Sequence, residues 1–434
     1  MNAAIFTLGC RLNQYESEVL ADQLSARGFK IVPWGGNDIA LGIINTCAVT
    51  RLAEAKCRQI IRNFIKANPH AFCVVTGCYS QTNAETIAKI KGVDCVVGNQ
   101  NKLNIDAWFP QNLEKAFPPK MLVEPMSRDD FSVPFVPASD LITLRANLKI
   151  QDGCDFFCSY CLIPKARGRA RSREFDDIIA EAKSLVSRGV RELVLTGVNI
   201  GTYHFENKTI VEIVDALAAI PDLARIRIGS IEPMTIPEGI LDRMADPEHP
   251  LMPFLHMPIQ SACDRILKDM HRHYNVAEYL KFLNHAVARV PALTVGTDIM
   301  IGFPGETNEE FAITCDNFMN YPFTFCHVFT YSERAGTSAA RRRDQVDVPT
   351  RQRRSSTLRA LSAKKREKFM QQFIGQMVEV LFENPVPEKN ITPAYTPNYL
   401  RVLVAGTHTA NTLARVKITA CTRGGNAAMI GEIC

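Results

Sequence analysis

Short apolar runs alternate with amphipathic stretches along the first hundred residues: Ala3–Leu8, Gln14–Gly28, Leu41–Asn45, Arg51–Ala67, Cys73–Thr76, Ala84–Lys91 and Val93–Val97. A strand covered on both faces reads as a continuous apolar run, so this rhythm predicts an open parallel α/β sheet. From about Asn99 to Ser139 the pattern fades into a connector carrying Pro110, Pro118, Pro119, Pro125, Pro134 and Pro137, which marks a domain boundary. A second series predicts strands at Leu144–Ile150, Glu192–Thr196, Arg225–Gly229, Phe254–Met257, Thr294–Met300 and Cys326–Tyr331. Helical stretches such as Asp176–Arg188 and Val276–Val290 separate them, and six such units suit an open or closed α/β barrel. Beyond a helix expected over Thr350–Phe373, the runs Met377–Phe382, Tyr399–Val404 and Ala414–Thr419 alternate like antiparallel strands of a small β-barrel. The expected class is therefore α/β, with units at residues 1–125, 140–370 and 371–434.

Composition agrees. The 434 residues make about three domains at roughly 150 residues each, and 46% apolar content excludes disordered, collagenous and fibrous classes. Met1 to Cys10 shows no charged leader, and no apolar run reaches the ~18 residues of a membrane span, so a cytoplasmic protein without a membrane partner is expected. In that reducing setting the 14 cysteines serve as metal ligands, nucleophiles or core residues rather than disulfides. Charge is uneven: Tyr331 to Cys434 holds 17 Lys and Arg against 8 Asp and Glu, while residues 1–330 carry a net −4. The basic quarter reads as a footprint for a polyanion such as nucleic acid, or as the solvated face of a helix; charge alone leaves both open.

The most specific signal is Gly153-Cys154-Asp155-Phe156-Phe157-Cys158-Ser159-Tyr160-Cys161, three cysteines within eight residues directly after an expected strand. Such a loop can bring three thiolates onto one iron–sulfur cube, whose four irons would normally take four, so one iron stays open. A zinc site would need a fourth ligand, and the next His or Cys, His204, is 43 residues on. Three core cysteines are the plainer alternative, although Gly, Asp and Ser are unusual company for a core. Cys10, Cys47 and Cys78 each follow an N-terminal strand at the edge where open α/β sheets bind ligands. They are either a second three-thiolate set or small buried residues in coincidental phase.

The triplet at the end of a first barrel strand resembles the radical S-adenosylmethionine (SAM) family. In that family the open iron chelates SAM, and electron injection yields a 5′-deoxyadenosyl radical. Thr196-Gly197-Val198-Asn199, Ser230-Ile231-Glu232-Pro233 and Asp298-Ile299-Met300-Ile301-Gly302-Phe303-Pro304-Gly305 follow barrel strands, where barrel enzymes place their chemistry. Thr196, Gly197, Asn199, Ser230, Glu232, Asp298, Gly302 and Pro304 are therefore candidates for holding the cofactor. Leu8-Gly9-Cys10-Arg11-Leu12-Asn13-Gln14-Tyr15-Glu16-Ser17-Glu18, Ile44-Asn45-Thr46-Cys47-Ala48-Val49-Thr50, Val75-Thr76-Gly77-Cys78-Tyr79-Ser80-Gln81 and Gly168-Arg169-Ala170-Arg171-Ser172-Arg173 resemble the methylthiotransferases within that family. The C-terminal region is placed like their RNA-binding TRAM barrel, so the resemblance covers essentially the whole chain.

The resemblance implies an N-terminal open parallel sheet domain, a partial (β/α)6 radical SAM barrel and a TRAM-like barrel. It implies two [4Fe–4S] clusters, one on Cys154, Cys158 and Cys161 and an auxiliary one on Cys10, Cys47 and Cys78. Cys57, Cys73, Cys95, Cys263, Cys315, Cys326, Cys421 and Cys434 are left as packing or surface thiols, with Cys73 the hardest to exclude because it opens the strand before Cys78. The implied reaction replaces hydrogen on carbon 2 of a modified adenine by a methylthio group, drawing on two SAM molecules. The Cys-Arg-Leu-Asn-Gln-Tyr-Glu-Ser-Glu run most resembles the branch acting on N6-threonylcarbamoyladenosine at tRNA position 37; isopentenyladenosine and a ribosomal-protein aspartate are the competing substrates. Implied partners are the tRNA anticodon loop, an electron donor such as flavodoxin or ferredoxin, and a sulfur source. Arg341, Arg342, Arg343, Arg351, Arg353 and Arg354 are candidate phosphate contacts, or else the charged face of an interdomain helix. A non-catalytic iron–sulfur RNA-binding protein is the rival from another class; it leaves the motifs after the barrel strands unexplained.

Overall fold

The computed structural model describes residues 1–36, 38–110, 112–134, 145–425 and 427–433. Its N-terminal unit is a six-stranded parallel sheet in the spatial order Lys30–Ile31, Asn2–Thr7, Ile39–Thr46, Phe72–Gly77, Cys95–Val97 and Lys120–Leu122. Strand alternation divides its core between two faces. Ile43, Val74 and Cys95 pack with Leu20 and Leu24 of the helix Arg11–Ala26. Ile44, Val75 and Val96 pack with Ile61 and Phe64 of the helix Arg51–Ala67. Burial on both faces is why these strands read as continuous apolar runs. Part of the expected connector proves structured: Lys120–Leu122 joins the sheet as its edge strand, and its exposed Lys120 and Met121 carry no apolar pattern. Cys434 and the connector residues 135–144 lie outside the described residues.

The central unit has six parallel strands in two groups: Arg145–Lys149, Glu192–Thr196 and Arg225–Ile228, then Phe254–His256, Thr294–Ile301 and Phe325–Thr330. Parallel bridges Ile226↔Leu251 and Ser230↔His256 join the groups into one open barrel. Helices Phe175–Ser187, Ile210–Ala218, Val276–Arg289 and Asn308–Asn320 cover it and complete its apolar core. Three helices open with capping boxes, Thr209 with Glu212, Asn275 with Glu278 and Thr307 with Glu310. Each box satisfies otherwise orphaned backbone N–H groups at the helix start.

The helix Val348–Gln371, capped by Asp347, leads into the C-terminal unit. That unit is a closed barrel ordered Met377–Phe382, Ile391–Tyr395, Arg401–Ala405, Met429–Ile433, Leu413–Cys421. Two of its five strands escape the sequence pattern, because Pro393 and Gly431 sit inside them and both residues normally argue against a strand. The pairing is antiparallel except between Arg401–Ala405 and Met429–Ile433, which run parallel. Among the described residues no helix is long and apolar enough to cross a membrane.

Candidate functional site

Asn2–Thr7, Ile39–Thr46 and Phe72–Gly77 are adjacent parallel strands, so their carboxyl ends lie side by side and deliver Cys10, Cys47 and Cys78 to one edge. The turn before Cys78 demands glycine. Gly77 has φ +102°, and a Cβ there would lie 2.4 Å from the Thr46 carbonyl oxygen. Asn13 ties the neighbouring loops by donating to the carbonyls of Leu8 (2.7 Å) and Thr46 (3.0 Å). Burial pushes the Cys47 thiol up to about 12, and nearby Cys78 and Cys10 act in the same direction. Asn99 Nδ2 approaches Cys78 Sγ at 3.6 Å. Cys73 and Cys95 instead belong to the sheet's two buried faces, and Cys57 sits behind Cys47, its Sγ 3.6 Å from the Cys47 carbonyl oxygen.

The second set rides on the loop after Arg145–Lys149. Ser159 anchors it to the segment before Arg272, through Ser159 N to Met270 O at 3.0 Å and Ser159 Oγ to Asp269 O at 2.8 Å. Phe156 stacks on His273 with ring centroids 4.8 Å apart. Arg272 donates to Cys158 Sγ at 3.3 Å and pairs with Glu232, while Ile163 N approaches Cys161 Sγ at 3.4 Å. Burial raises the thiols of Cys154 and Cys161 to about 11 and about 12. The Gly168–Arg173 run holds this loop from the other side: Cys154 N donates to Gly168 O at 3.1 Å, and Arg171 and Ser172 pair with Gln151 and Asp152.

A buried charge network joins the two sets. Glu16 accepts from Lys102 (2.5 Å), Lys149 (3.0 Å) and Arg167 (2.9 Å), and Asp152 accepts from Lys149 (2.7 Å) and Arg167 (3.1 Å). Although burial opposes ionisation, these cations hold the Glu16 carboxyl well below the usual range. With Arg171 3.8 Å from Asp152, four cations against two carboxylates leave a positive surplus, and both Arg167 and Lys102 are acted on by Cys78.

All six thiols are free. Among the described residues no three His, Cys, Asp or Glu side chains gather tightly enough for a lone metal ion. In each set one thiol is acted on by the other two, Cys47 by Cys10 and Cys78 and Cys161 by Cys154 and Cys158, and N–H donors at sulfur and cationic neighbours accompany them, which suits a polynuclear cluster with thiolate ligands. A cavity of about 300 Å³ reaches from Cys78, Ala48 and Val49 to Cys161 and Asp298. A second, of about 540 Å³, runs from Cys10 and Arg11 past Thr196, Gly197, Ser230 and Asp298 to Tyr395 and Tyr399 of the C-terminal barrel. That barrel is held there by buried arginines: Arg225 donates to Tyr395 O at 2.8 Å, and Arg227 to Pro397 O at 2.6 Å.

The remaining candidates divide. Thr196, Gly197, Ser230 and Asp298 line the cleft, and Asp298 Oδ1 lies 3.0 Å from His256 Nε2. Asn199 Oδ1 accepts from Glu232 N and Thr235 Oγ1, both at 3.1 Å, so it braces two of the loops while its buried Nδ2 has no partner among the described residues. Gly302 and Pro304 are buried off both cavities. Gly302 (φ +68°) is glycine because a Cβ would lie 2.4 Å from Arg351 Cγ. Two of the arginines read as candidate phosphate contacts or helix charge are interior: Arg351 donates to Tyr331 O at 3.1 Å, and Arg354 to Glu306 at 2.6 Å. They fasten the Gly302–Glu306 loop to the helix and present nothing to RNA. Arg342 pairs with Asp269 and Asp344, whereas Arg341, Arg343 and Arg353 are exposed. Sequence reasoning missed Arg272, Lys102, Lys149, Asp152, Arg167, His256 and His327; Glu16 lay inside a quoted motif, with nothing local to mark its role.

The fold and the paired thiol sets define a radical SAM enzyme. Residues 148–317 match the Radical SAM superfamily, and residues 2–98 match a second family described as uncharacterized protein family UPF0004. The chain is 37% identical to threonylcarbamoyladenosine tRNA methylthiotransferase MtaB of Bacillus subtilis, over 93% of this chain and 90% of that protein. It is 32% identical to the MtaB of Aquifex aeolicus, over 96% and 100%, and 33% identical to the tRNA-2-methylthio-N(6)-dimethylallyladenosine synthase of Neorickettsia sennetsu, over 89% and 84%. More particularly, then, the chain belongs to the MtaB family of radical SAM methylthiotransferases. In fold it is similar to the radical SAM methyltransferase TsrM from Kitasatospora setae with cobalamin and a [4Fe–4S] cluster bound, at TM-score 0.57, 16% identity, and coverage of 78% and 77%. Membership implies [4Fe–4S] clusters and SAM as cofactors.

Proposed function

We propose that this protein converts N6-threonylcarbamoyladenosine in the tRNA anticodon loop, at position 37, to its 2-methylthio derivative. Cys154, Cys158 and Cys161 hold the SAM-binding cluster in this reading, and Cys10, Cys47 and Cys78 hold the auxiliary one. The observation that carries it is the shared cleft: cavities lined by Cys78 and Cys161, and by Cys10, meet at Asp298. A substrate carbon there can be reached from both thiol sets. When bound, the clusters and SAM supply one-electron C–H activation and sulfur, which polar acid–base chemistry cannot deliver to an unactivated aromatic carbon.

The chain's own residues do the positioning. The N–H groups of Arg272, Ile163 and Asn99 favour ionised sulfur, and the Glu16–Arg167 network keeps the two loops in fixed register. Tyr395 and Tyr399 of the C-terminal barrel line one cavity, and the walls of the other are mostly apolar. Exposed Arg341, Arg343 and Arg353 supply cationic contacts for RNA phosphate. An electron donor of the flavodoxin or ferredoxin kind and a sulfur source complete the cycle. The deciding experiment is mass spectrometry of tRNA nucleosides from a deletion strain: loss of 2-methylthio-threonylcarbamoyladenosine, restored by the gene, is expected. Loss of the isopentenyl counterpart instead would overturn the substrate.

A further inference from the structure

The cavity that runs from Cys10 to Tyr399 is lined by a cation that none of the chemistry above employs. Arg366 lines it from the helix Val348–Gln371 and also lines the adjoining hollow beside Arg359 and Gly425. Its guanidinium lies over the Phe325 ring, 5.4 Å from the centroid, and its buried Nε has no hydrogen-bond partner among the described residues. The titratable groups that interact with it are Tyr395, Arg401 and His327, with no carboxylate among them in the described residues. Of the other charged groups on the cavity wall, Arg227 meets a carboxylate and Asp298 a histidine, while Arg11 is exposed to solvent and bonds only neutral groups. Arg227 pairs with Glu192 at 2.7 Å, and Arg11 donates to Tyr399 Oη at 2.9 Å and Asn147 Oδ1 at 3.3 Å. The wall carboxylate Asp298 is held by His256, and His327 is kept towards its neutral form by burial and by His256. Phe329, 41% exposed, offers an aromatic face on the same wall.

A half-buried guanidinium without a counter-charge is an unfavourable thing to build unless a ligand completes it. The matching ligand is planar, anionic and able to accept two parallel N–H bonds, which describes a carboxylate. Resting on the substrate reading above, we infer that Arg366 recognises the ionised carboxylate of the threonyl group on the substrate adenosine, with Phe329 placed to stack on a base. Arg366 is thereby the specificity residue of the cleft. A hydrocarbon substituent in the same place would leave the guanidinium desolvated and unpaired, so isopentenyladenosine is rejected by lack of a partner as much as by shape.

The test uses the full-length reconstituted enzyme and labelled anticodon stem-loops carrying threonylcarbamoyladenosine, its methyl ester, or isopentenyladenosine. Binding is read by fluorescence anisotropy, and kcat/KM by nucleoside mass spectrometry. Arg366→Gln should weaken binding of the free acid by about 30-fold, the scale of losing one partner of a desolvated charge pair. Arg366→Lys should fall between wild type and Gln. Esterification should cost the wild-type enzyme a similar factor and cost Arg366→Gln almost nothing, a pattern that a merely structural arginine would not produce. Undiminished binding by Arg366→Gln, or equal sensitivity of both proteins to the ester, would overturn the role of Arg366 while leaving the substrate reading intact. A wild-type enzyme that ignores the free acid and modifies isopentenyladenosine would overturn both.

Discussion

Arg167 grips Glu16 with both arms: Nη1 donates to Oε1 at 2.9 Å and Nη2 to Oε2 at 3.1 Å, with both side chains buried. Glu16 lies six residues beyond Cys10, and Arg167 six residues beyond Cys161. One fork therefore ties together the helices that follow the two thiol-bearing loops.

Breaking that fork should be felt at both ends. Arg167→Gln leaves Glu16 buried with less positive charge around it, and a loss of about 3 kcal/mol in unfolding free energy is expected. The same variant should retain less iron at the N-terminal set, because Arg167 faces Cys10 and Cys78. Denaturant titration together with an iron assay checks both; an unchanged protein in both would refute the coupling.

The two cysteine sets should separate by function. Wild-type enzyme reconstituted without oxygen should bind about eight irons per chain, and single-set variants about four. Cys158→Ala should abolish formation of 5′-deoxyadenosine, whereas Cys47→Ala should still cleave SAM yet yield no methylthio product. Methylthiolated tRNA from either variant would contradict the assignment.

Arginines of the basic segment should fall into two groups. Neutralising exposed Arg341, Arg343 and Arg353 together should flatten the slope of log affinity for tRNA against log salt by about 2, at ~0.7 for each phosphate that no longer meets a cation. Arg354→Gln should leave that slope unchanged and cost about 2 kcal/mol of stability, since it strips a buried partner from Glu306. Equal slopes for all variants would remove any phosphate-binding role from the exposed three.

Stability should fall with rising pH near neutrality through Glu18. Burial, then the charges of Asp22 and Glu181, push its carboxyl up to about 7. The folded state therefore holds this proton more tightly than the unfolded chain, so the contribution is full below the unfolded value and is lost as pH climbs through about 7. Glu18→Gln should match wild type near pH 5 and exceed it by about 1–2 kcal/mol near pH 8, after allowance for partial exposure. Thermal unfolding at the two pH values measures this, and an identical offset at both would rule it out.

Strands and thiols were legible because their signals are local. Runs such as Glu192–Thr196 carry their burial in their own composition, and Cys154, Cys158 and Cys161 share one short loop. The arginines of the long helix were not legible. Arg351 and Arg354 look like surface charge in a strongly polar segment, yet they turn inward onto Tyr331 and Glu306 from other parts of the chain. Arg272 was invisible for the same reason, since Cys158 is 114 residues away and nothing near Arg272 announces a sulfur partner.

By itself, then, the amino-acid order determined the three units, the order of the chemistry along the chain and the six cysteines at strand ends, all set by periodicities and spacings that act over a few residues. Only the tertiary structure decided which charges serve the site. Parallel strand adjacency lines up Cys10, Cys47 and Cys78; docking of the sheet on the barrel buries the Glu16–Arg167 fork; and the helix Val348–Gln371 brings Arg366 to the cleft with no carboxylate acting on it among the described residues. Those outcomes depend on which distant groups share a low-dielectric interior, and electrostatic partnership there follows distance in space rather than along the chain.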